Sequence, residues 1–245
     1  MKKVTSILYY IFFFVIGTPL IIIAFLIWII TYFLDKRLYI LHLFTQYWAY
    51  FNVFIIPGWR IKVIGRNKIN NSKALVFASN HQSEFDIFVM SKIFAHFKWV
   101  SKAEVFKIPI VGWNMQMNKY VKLKRGDRKS IVQMIKDCVF TLQNGSSVFI
   151  FPEGTRSKTG TLRPFSSGAF VIAQRAKVGI QPIAISGTKD IMIKGSWMLS
   201  FKANVTIAVL DEIPYEIIKD MDTSEIAKMT RDRIAEHVKE HQELL

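Results

Sequence analysis

His81 and Asp86 stand five residues apart in the run Ser79-Asn80-His81-Gln82-Ser83-Glu84-Phe85-Asp86. That spacing suits no regular element. On an ideal helix the two lie about 140° apart, and on a strand they point to opposite faces. They meet only if the backbone turns between them, and the local sequence supplies a turn. Ala74 to Ser79 reads as a short apolar strand, Asn80 to Ser83 is polar and cap-like, and Ile87 to Phe94 reads as a helix. A histidine held by a carboxylate at a strand-to-helix turn is equipped to take a proton from a hydroxyl. Taken alone, the same pair is also what a satisfied surface histidine near a helix cap looks like.

A second motif follows at Val148-Phe149-Ile150-Phe151-Pro152-Glu153-Gly154-Thr155-Arg156-Ser157. Its apolar residues read as a strand that ends in a tight polar loop. Gly154 permits a positive φ and Pro152 stops the ladder. Arg156 can grip an anion with its planar fork of donors. By itself this is an ordinary turn with a surface arginine.

Together the two motifs resemble the glycerophospholipid acyltransferase family, whose best-known members are 1-acylglycerol-3-phosphate (lysophosphatidic acid) acyltransferases. That family carries N-H-x-x-x-x-D, then a basic block, then F-P-E-G-T-R-S, then an apolar stretch with a proline. Here the last is Gly179-Ile180-Gln181-Pro182-Ile183-Ala184-Ile185. All four blocks occur in order, and the resemblance runs from about residue 60 to about residue 210.

The resemblance implies a fatty acyl transfer from acyl-CoA or acyl carrier protein to the free hydroxyl of a lysophospholipid. The simplest acceptor is 1-acylglycerol-3-phosphate, giving phosphatidic acid. His81 would be the general base, and Asp86 would fix its tautomer and stabilise the imidazolium, as in hydrolase triads with the substrate hydroxyl replacing the serine. Arg125 and Arg156 would hold the acceptor phosphate, and Glu153, Gly154 and Thr155 would line the acceptor pocket. Arg125 follows Tyr120-Val121-Lys122-Leu123, where the family carries an arginine after a strand. The chain departs from the family's usual pattern beside it: Asn118-Lys119 stands where many members have glycine, and Lys124 where an acid often precedes the arginine. Glu84 lies inside the first motif at a variable slot and receives no role. Ser83 has no Gly-x-Ser-x-Gly elbow to present it as a nucleophile. The backbone amides at the start of the helix after His81 are the natural donors for a developing oxyanion. The chemistry requires no metal or cofactor, and His42, His96, His237 and His241 lie in no acidic or metal-type pattern.

The remaining sequence reads as the frame for these loops. Arg60 to Gly65 alternates like a half-buried strand, and Lys98 to Ser101, Lys119 to Leu123, Ile180 to Ile185 and Asn204 to Leu210 are further strands. Ile108 to Trp113 reads as a turn with apolar bulk. Helices are expected at Asp127–Asn144, with Gly145 as its cap, at Ser166–Lys177, and at Asp222–Leu245, with Asp222 and Glu225 as a capping box. Strands alternating with helices indicate an α/β fold, a sheet flanked by helices. The expected division is a membrane-anchoring segment over 1–58 and an α/β acyltransferase domain over 59–245.

No charge occurs from Ser6 to Leu34. That stretch exceeds the roughly 20 apolar residues of a membrane-crossing helix, and no small-x-small site closes it as a signal peptide. Gly17-Thr18-Pro19 interrupts its middle, so it reads either as one kinked span or as a hairpin that returns within one leaflet. Cations on both sides, Lys2 and Lys3 before and Lys36 and Arg37 after, lean towards the hairpin. The aromatic stretch Leu38 to Trp59 suits a bilayer interface and equally suits packing under the catalytic domain. The net charge of +15 calls for an anionic partner. Half the residues are hydrophobic, which favours a membrane surface over nucleic acid. Ten lysines and arginines between residues 91 and 130 face only Glu104 and Asp127, and most of them read as a cationic face on anionic lipid. The lone Cys138 excludes an internal disulfide and falls on a helical apolar stripe. The expected location is therefore a membrane, with the catalytic domain facing the cytoplasm where the acyl donors are. Two rivals share these features: a membrane thioesterase using the same pair on water, and an inactive basic membrane-surface protein. The paired arginines argue against the first, and the intact His81 and Asp86 against the second.

Overall fold

The computed structural model describes residues 2–157, 161–192 and 195–242. Seven strands form one sheet: β1 (Trp59–Ile64), β2 (Val76–Ser79), β3 (Phe97–Lys102), β4 (Val121–Leu123), β5 (Ser147–Ile150), β6 (Ile180–Ser186) and β7 (Ala203–Val209). Their spatial order is β1-β7-β6-β2-β5-β3-β4. Every neighbouring pair is parallel except β6 and β7. Parallel strands need covered faces, which is why β2, β5 and β6 are buried at every position and read as continuous apolar runs.

Helices cover both faces: α1 (Lys2–Thr31), α2 (Tyr39–Phe54), α3 (Asp86–Met90), α4 (Val111–Met117), α5 (Arg128–Gln143), α6 (Gly168–Ala176), α7 (Tyr215–Ile218) and α8 (Thr223–Gln242). One apolar core gathers Phe77, Phe97, Phe149 and Ile207 beneath α2 and α3, and a second gathers Val76, Cys138, Phe170 and Ile226 beneath α5, α6 and α8. The amphipathic α5 starts where expected, its first turn closed by the Asp127 carboxylate accepting from the Ser130 amide at 3.2 Å. Asp222 caps α8, its carboxylate accepting from the Ser224 amide at 2.7 Å and held also by the Glu225 amide. Residues 243–245, expected in the same helix, lie outside the described residues.

Two expectations change. The segment from Ile108 is not only a turn, because α4 follows it. Gly112 packs so closely on the Phe106 carbonyl that a Cβ would sit 2.2 Å from its oxygen. The apolar run also does not fold back at Gly17-Thr18-Pro19: α1 continues through Pro19 as one 30-residue helix. Pro19 removes the donor that would meet the Val15 carbonyl, a cost the helix carries within its length, and the Thr18 hydroxyl beside it donates back to the Phe14 carbonyl at 2.9 Å. The reversal comes later, where Leu38 adopts φ +54° and Asp35 Oδ2 accepts from the Ile40 amide at 2.8 Å. The helical hairpin is α1 against α2.

Among the described residues α1 is the one helix long and apolar enough to cross a membrane. It lies along the α/β body. Near its start Ser6 Oγ accepts from the Leu199 amide at 2.9 Å, and near its end the Lys119 ammonium sits 5.1 Å over the Tyr32 ring. The outward face exposes Leu8, Val15, Ile22, Leu26 and Ile30. The other helix, α2, is keyed into the body. Its buried His42 places Nδ1 2.8 Å from the Tyr120 hydroxyl, and Gln46 donates to the Ala95 carbonyl at 2.8 Å. Its aromatics therefore serve packing on the body as well as the groove of about 560 Å³ that Ile16, Leu20, Phe44, Trp48 and Phe54 line between α1 and α2.

Candidate active site

The turn after β2 brings His81 to Asp86. His81 Nδ1 lies 2.7 Å from Asp86 Oδ2. The same oxygen accepts from the Gln82 amide at 2.7 Å and the Ser83 amide at 3.1 Å. Three donors around one oxygen suit an ionised carboxylate, which only accepts. Asp86 is fully buried, and His81 keeps 14% side-chain exposure. With Nδ1–H donated to Asp86, Nε2 is the ring nitrogen left to accept a proton, and it has no hydrogen-bond partner among the described residues. Asn80 fixes the start of the turn by pairing twice with Ile185 on β6, each bond 2.8 Å.

The turn after adjacent β5 closes over this one. Glu153 Oε1 accepts from the His81 amide at 2.9 Å, and Oε2 from the Arg163 amide at 3.3 Å. Burial pushes the Glu153 carboxyl above its ordinary range, and the two amides oppose that rise. The Ser157 amide donates to the His81 carbonyl at 2.9 Å. The Phe151 ring lies on the imidazole with centroids 4.2 Å apart and planes 16° apart. Gly154 adopts φ +68°, which a side chain would strain, and it faces open space. Thr155 is half-buried beside it.

Arg156 is also in this turn. Its Nη2 lies 2.9 Å from Glu84 Oε1, so a residue without a role in the sequence reading joins the two loops. Arg125 leaves the end of β4 and is exposed. Partial burial lowers its pKa, Glu104 opposes this, and the like charge of Arg156 adds to it, which places both guanidinium groups within electrostatic reach of each other. Thus the turns after β2 and β5 meet, with Arg125 beyond β4 within electrostatic reach of them, at the carboxyl edge of parallel strands where α/β sheets bind ligands. The arrangement can deprotonate a hydroxyl beside a cationic pair able to take a phosphate.

A family model described as acyltransferase matches residues 60–186. The chain belongs to the acyltransferase family. That match contains every residue named in the site. A chloroplastic 1-acyl-sn-glycerol-3-phosphate acyltransferase of Arabidopsis thaliana is 40% identical over 169 residues, which is 69% of this chain and 47% of that protein. One of Brassica napus is 41% identical over 156 residues, 63% of this chain and 45% of that protein. The chain thus spans about half the length of these curated relatives. In fold it is similar to the crystal structure of a 1-acyl-sn-glycerophosphate acyltransferase from Thermotoga maritima, with a TM-score of 0.80, 24% identity, and coverage of 99% of this chain and 98% of that one.

Within this acyltransferase fold, sequence reasoning passed over three features. Phe151 sits inside the second motif, and its place directly after a strand was the available signal. Glu84 gave no local signal, because its partner comes from another strand. The Gln82 and Ser83 amides turn inward onto Asp86, a third feature that the sequence did not signal. Ser83 is buried, its hydroxyl 3.4 Å from the Met192 carbonyl.

The basic block is less uniformly solvated than its sequence suggests. Lys98 is buried, Lys92 donates to the Ile61 carbonyl, and Lys122 sits 4.9 Å over the Phe106 ring. His42 and His96 are buried packing residues, and burial pulls both below the ordinary histidine range. The side chain of His241 lies outside the described residues. Burial raises the Cys138 thiol, which leaves it inert. Among the described residues no group of three His, Cys, Asp or Glu side chains is placed to hold a metal ion.

Proposed function

We propose that this acyltransferase moves a fatty acyl group from acyl-CoA or acyl carrier protein to the free hydroxyl of 1-acylglycerol-3-phosphate, giving phosphatidic acid. The observation that carries the reading is His81 Nδ1 at 2.7 Å from a buried Asp86, beside the arginine-bearing turn after β5. The names of the plant relatives support the acceptor. His81 Nε2 takes the proton of the acceptor hydroxyl as its oxygen attacks the thioester carbonyl. Asp86 stabilises the imidazolium. The imidazolium then gives its proton to the departing thiolate as the tetrahedral adduct collapses, so no acyl-enzyme is needed and no cofactor takes part. Arg156 and Arg125 hold the phosphate dianion, with bidentate geometry that lysine lacks. Gly154 and Thr155 shape the pocket wall.

In this reading α1 lies within one leaflet of a membrane, with the α/β body on the cytoplasmic side. A single-chain lipid then reaches the site sideways without exposing its tail, which would cost about 0.8 kcal/mol per CH₂. The division at residue 58 separates the anchor from the chemistry by function, although α2 packs on the body.

The test is lipid analysis of the purified protein in mixed micelles with acyl-CoA or acyl carrier protein and a panel of acceptors. Phosphatidic acid should form, and well-folded His81→Ala should lose at least about a hundredfold in rate. Thioester hydrolysis independent of any acceptor would make the protein a thioesterase. Near-normal turnover by His81→Ala would end the mechanism.

A further inference from the structure

Glu84 is the acid next to the proposed phosphate site that the reaction does not use. Its carboxylate meets the Arg156 guanidinium at 2.9 Å, oxygen to nitrogen, across the gap between the two motif loops. The arginine side chain is 21% exposed and the glutamate 61%. Glu84 also lies within electrostatic reach of the Tyr10 hydroxyl, which donates to the Trp197 carbonyl at 2.9 Å. It therefore stands on the side of the site that α1 borders.

A carboxylate oxygen on a guanidinium is the same contact that a phosphate oxygen makes. The two anions cannot share one fork without repelling each other. We propose that Glu84 is an internal surrogate for the acceptor phosphate: it holds Arg156 in the resting enzyme, and the substrate must displace it to bind. This rests on Arg156 reading the phosphate.

The exposure of the pair sets the size of the effect. An ion pair this open to water is weak, so a phosphomonoester, which carries about −1.5 to −2 charge at neutral pH, displaces it readily. Displacement still reduces apparent affinity by the fraction of enzyme in which Arg156 is engaged. The product carries the same phosphate, so the same factor applies to its release. Glu84 thus weakens substrate and product together and keeps the site from filling with its own product. Removing a group that acted only on fold or loop order would weaken both, whereas removing a competing anion tightens both. Glu84 acts through Arg156 and is a positioning residue, with its signature in KM and product inhibition.

The experiment uses the full chain in mixed micelles with acyl-CoA, comparing wild type, Glu84→Gln, Glu84→Ala and Arg156→Met. Glu84→Gln should lower the acceptor KM and the inhibition constant of phosphatidic acid by the same factor, about twofold to fivefold, and leave the donor KM unchanged. That factor corresponds to ~0.4–1 kcal/mol at about 1.4 kcal/mol per decade, the range of partly exposed ion pairs. Glu84→Ala should do the same. Binding of 1-acylglycerol-3-phosphate to the protein in detergent gives the same comparison without turnover. An acceptor affinity that is unchanged or weaker in folded Glu84 variants, while Arg156→Met weakens it, overturns the surrogate role alone. An Arg156→Met protein with unchanged acceptor affinity overturns phosphate reading by Arg156, and the surrogate role with it.

Discussion

Phe151 lies nearly flat on His81, ring centroids 4.2 Å apart, and is itself stacked on Trp99 of the neighbouring strand at 5.8 Å and 19°. The imidazole is thereby fixed twice. Asp86 fixes one ring nitrogen, and the aromatic stack fixes the ring plane. Rotation about χ2 would break both.

Phe151→Leu keeps apolar bulk but loses the flat face. The expected outcome is a fall in kcat of about tenfold to a hundredfold, the range for misplacing a catalytic group by a fraction of an ångström to an ångström, with acceptor and donor KM near normal. Steady-state kinetics with a melting curve checks it. A raised KM with unchanged kcat would make Phe151 a substrate contact instead.

Glu153 gives the next prediction. Both of its oxygens are used on backbone amides, those of His81 and Arg163. Glu153→Ala should leave them short of an acceptor, cost roughly 1–3 kcal/mol of stability and lower kcat through a loosened His81 loop. Thermal unfolding and kcat should fall together. An intact melting temperature with a raised acceptor KM would put Glu153 in contact with the acceptor.

The parts legible in the sequence were those whose causes are local. Alternating strands and helices, the Asp127 cap and the turn at Asn80 to Ser83 are each written within a few residues. The His81–Asp86 contact was readable because five residues with a turn can close only a few ways. The pairing of Glu84 with Arg156 and of Glu153 with the His81 amide was not, since each joins loops from different strands, and only the β2–β5 register brings those loops together. Pro19 misled for the opposite reason. A local breaker was overruled by a long apolar helix packed along the body at both ends. Lys98 misled likewise: it was counted with a solvated block, yet it sits inside the sheet.

The packing of α1 yields a topology prediction. Contacts near both ends of this helix, Ser6 to Leu199 and Tyr32 to Lys119, tie it to one side of the α/β body. A cysteine placed at Lys3 and one at exposed Lys129 should therefore react with an impermeant reagent from the same, cytoplasmic side. The native Cys138 is buried and gives little background. Labelling at Lys3 from the outside of sealed right-side-out vesicles would mean a crossing helix. Release of the whole protein by alkaline carbonate would refute insertion itself.

Lys98 carries the last prediction. The residue is 4% exposed, and no described group accepts a hydrogen bond from its ammonium. Burial lowers its pKa from 10.5 to about 7; the nearby charge of Asp35 opposes the fall, and those of Lys119 and Arg37 add to it. The folded protein thus holds this proton more weakly than the unfolded chain does. The group costs nothing above pH 10.5, where it is neutral in both states. Its penalty grows as pH falls towards about 7 and is complete below that. Lys98→Met keeps the volume and removes the charge, so it should stabilise the protein by roughly 1–3 kcal/mol near pH 6, with the gain shrinking towards zero near pH 10.5. The difference between mutant and wild type isolates Lys98, because neighbouring His96, pulled down to about 3 by burial, titrates in both proteins. Melting temperatures of the pair at pH 6, 8 and 10 check it. A gain that does not shrink with rising pH would mean that better apolar packing of the methionine, and not removal of the buried ammonium, sets the stability at this position.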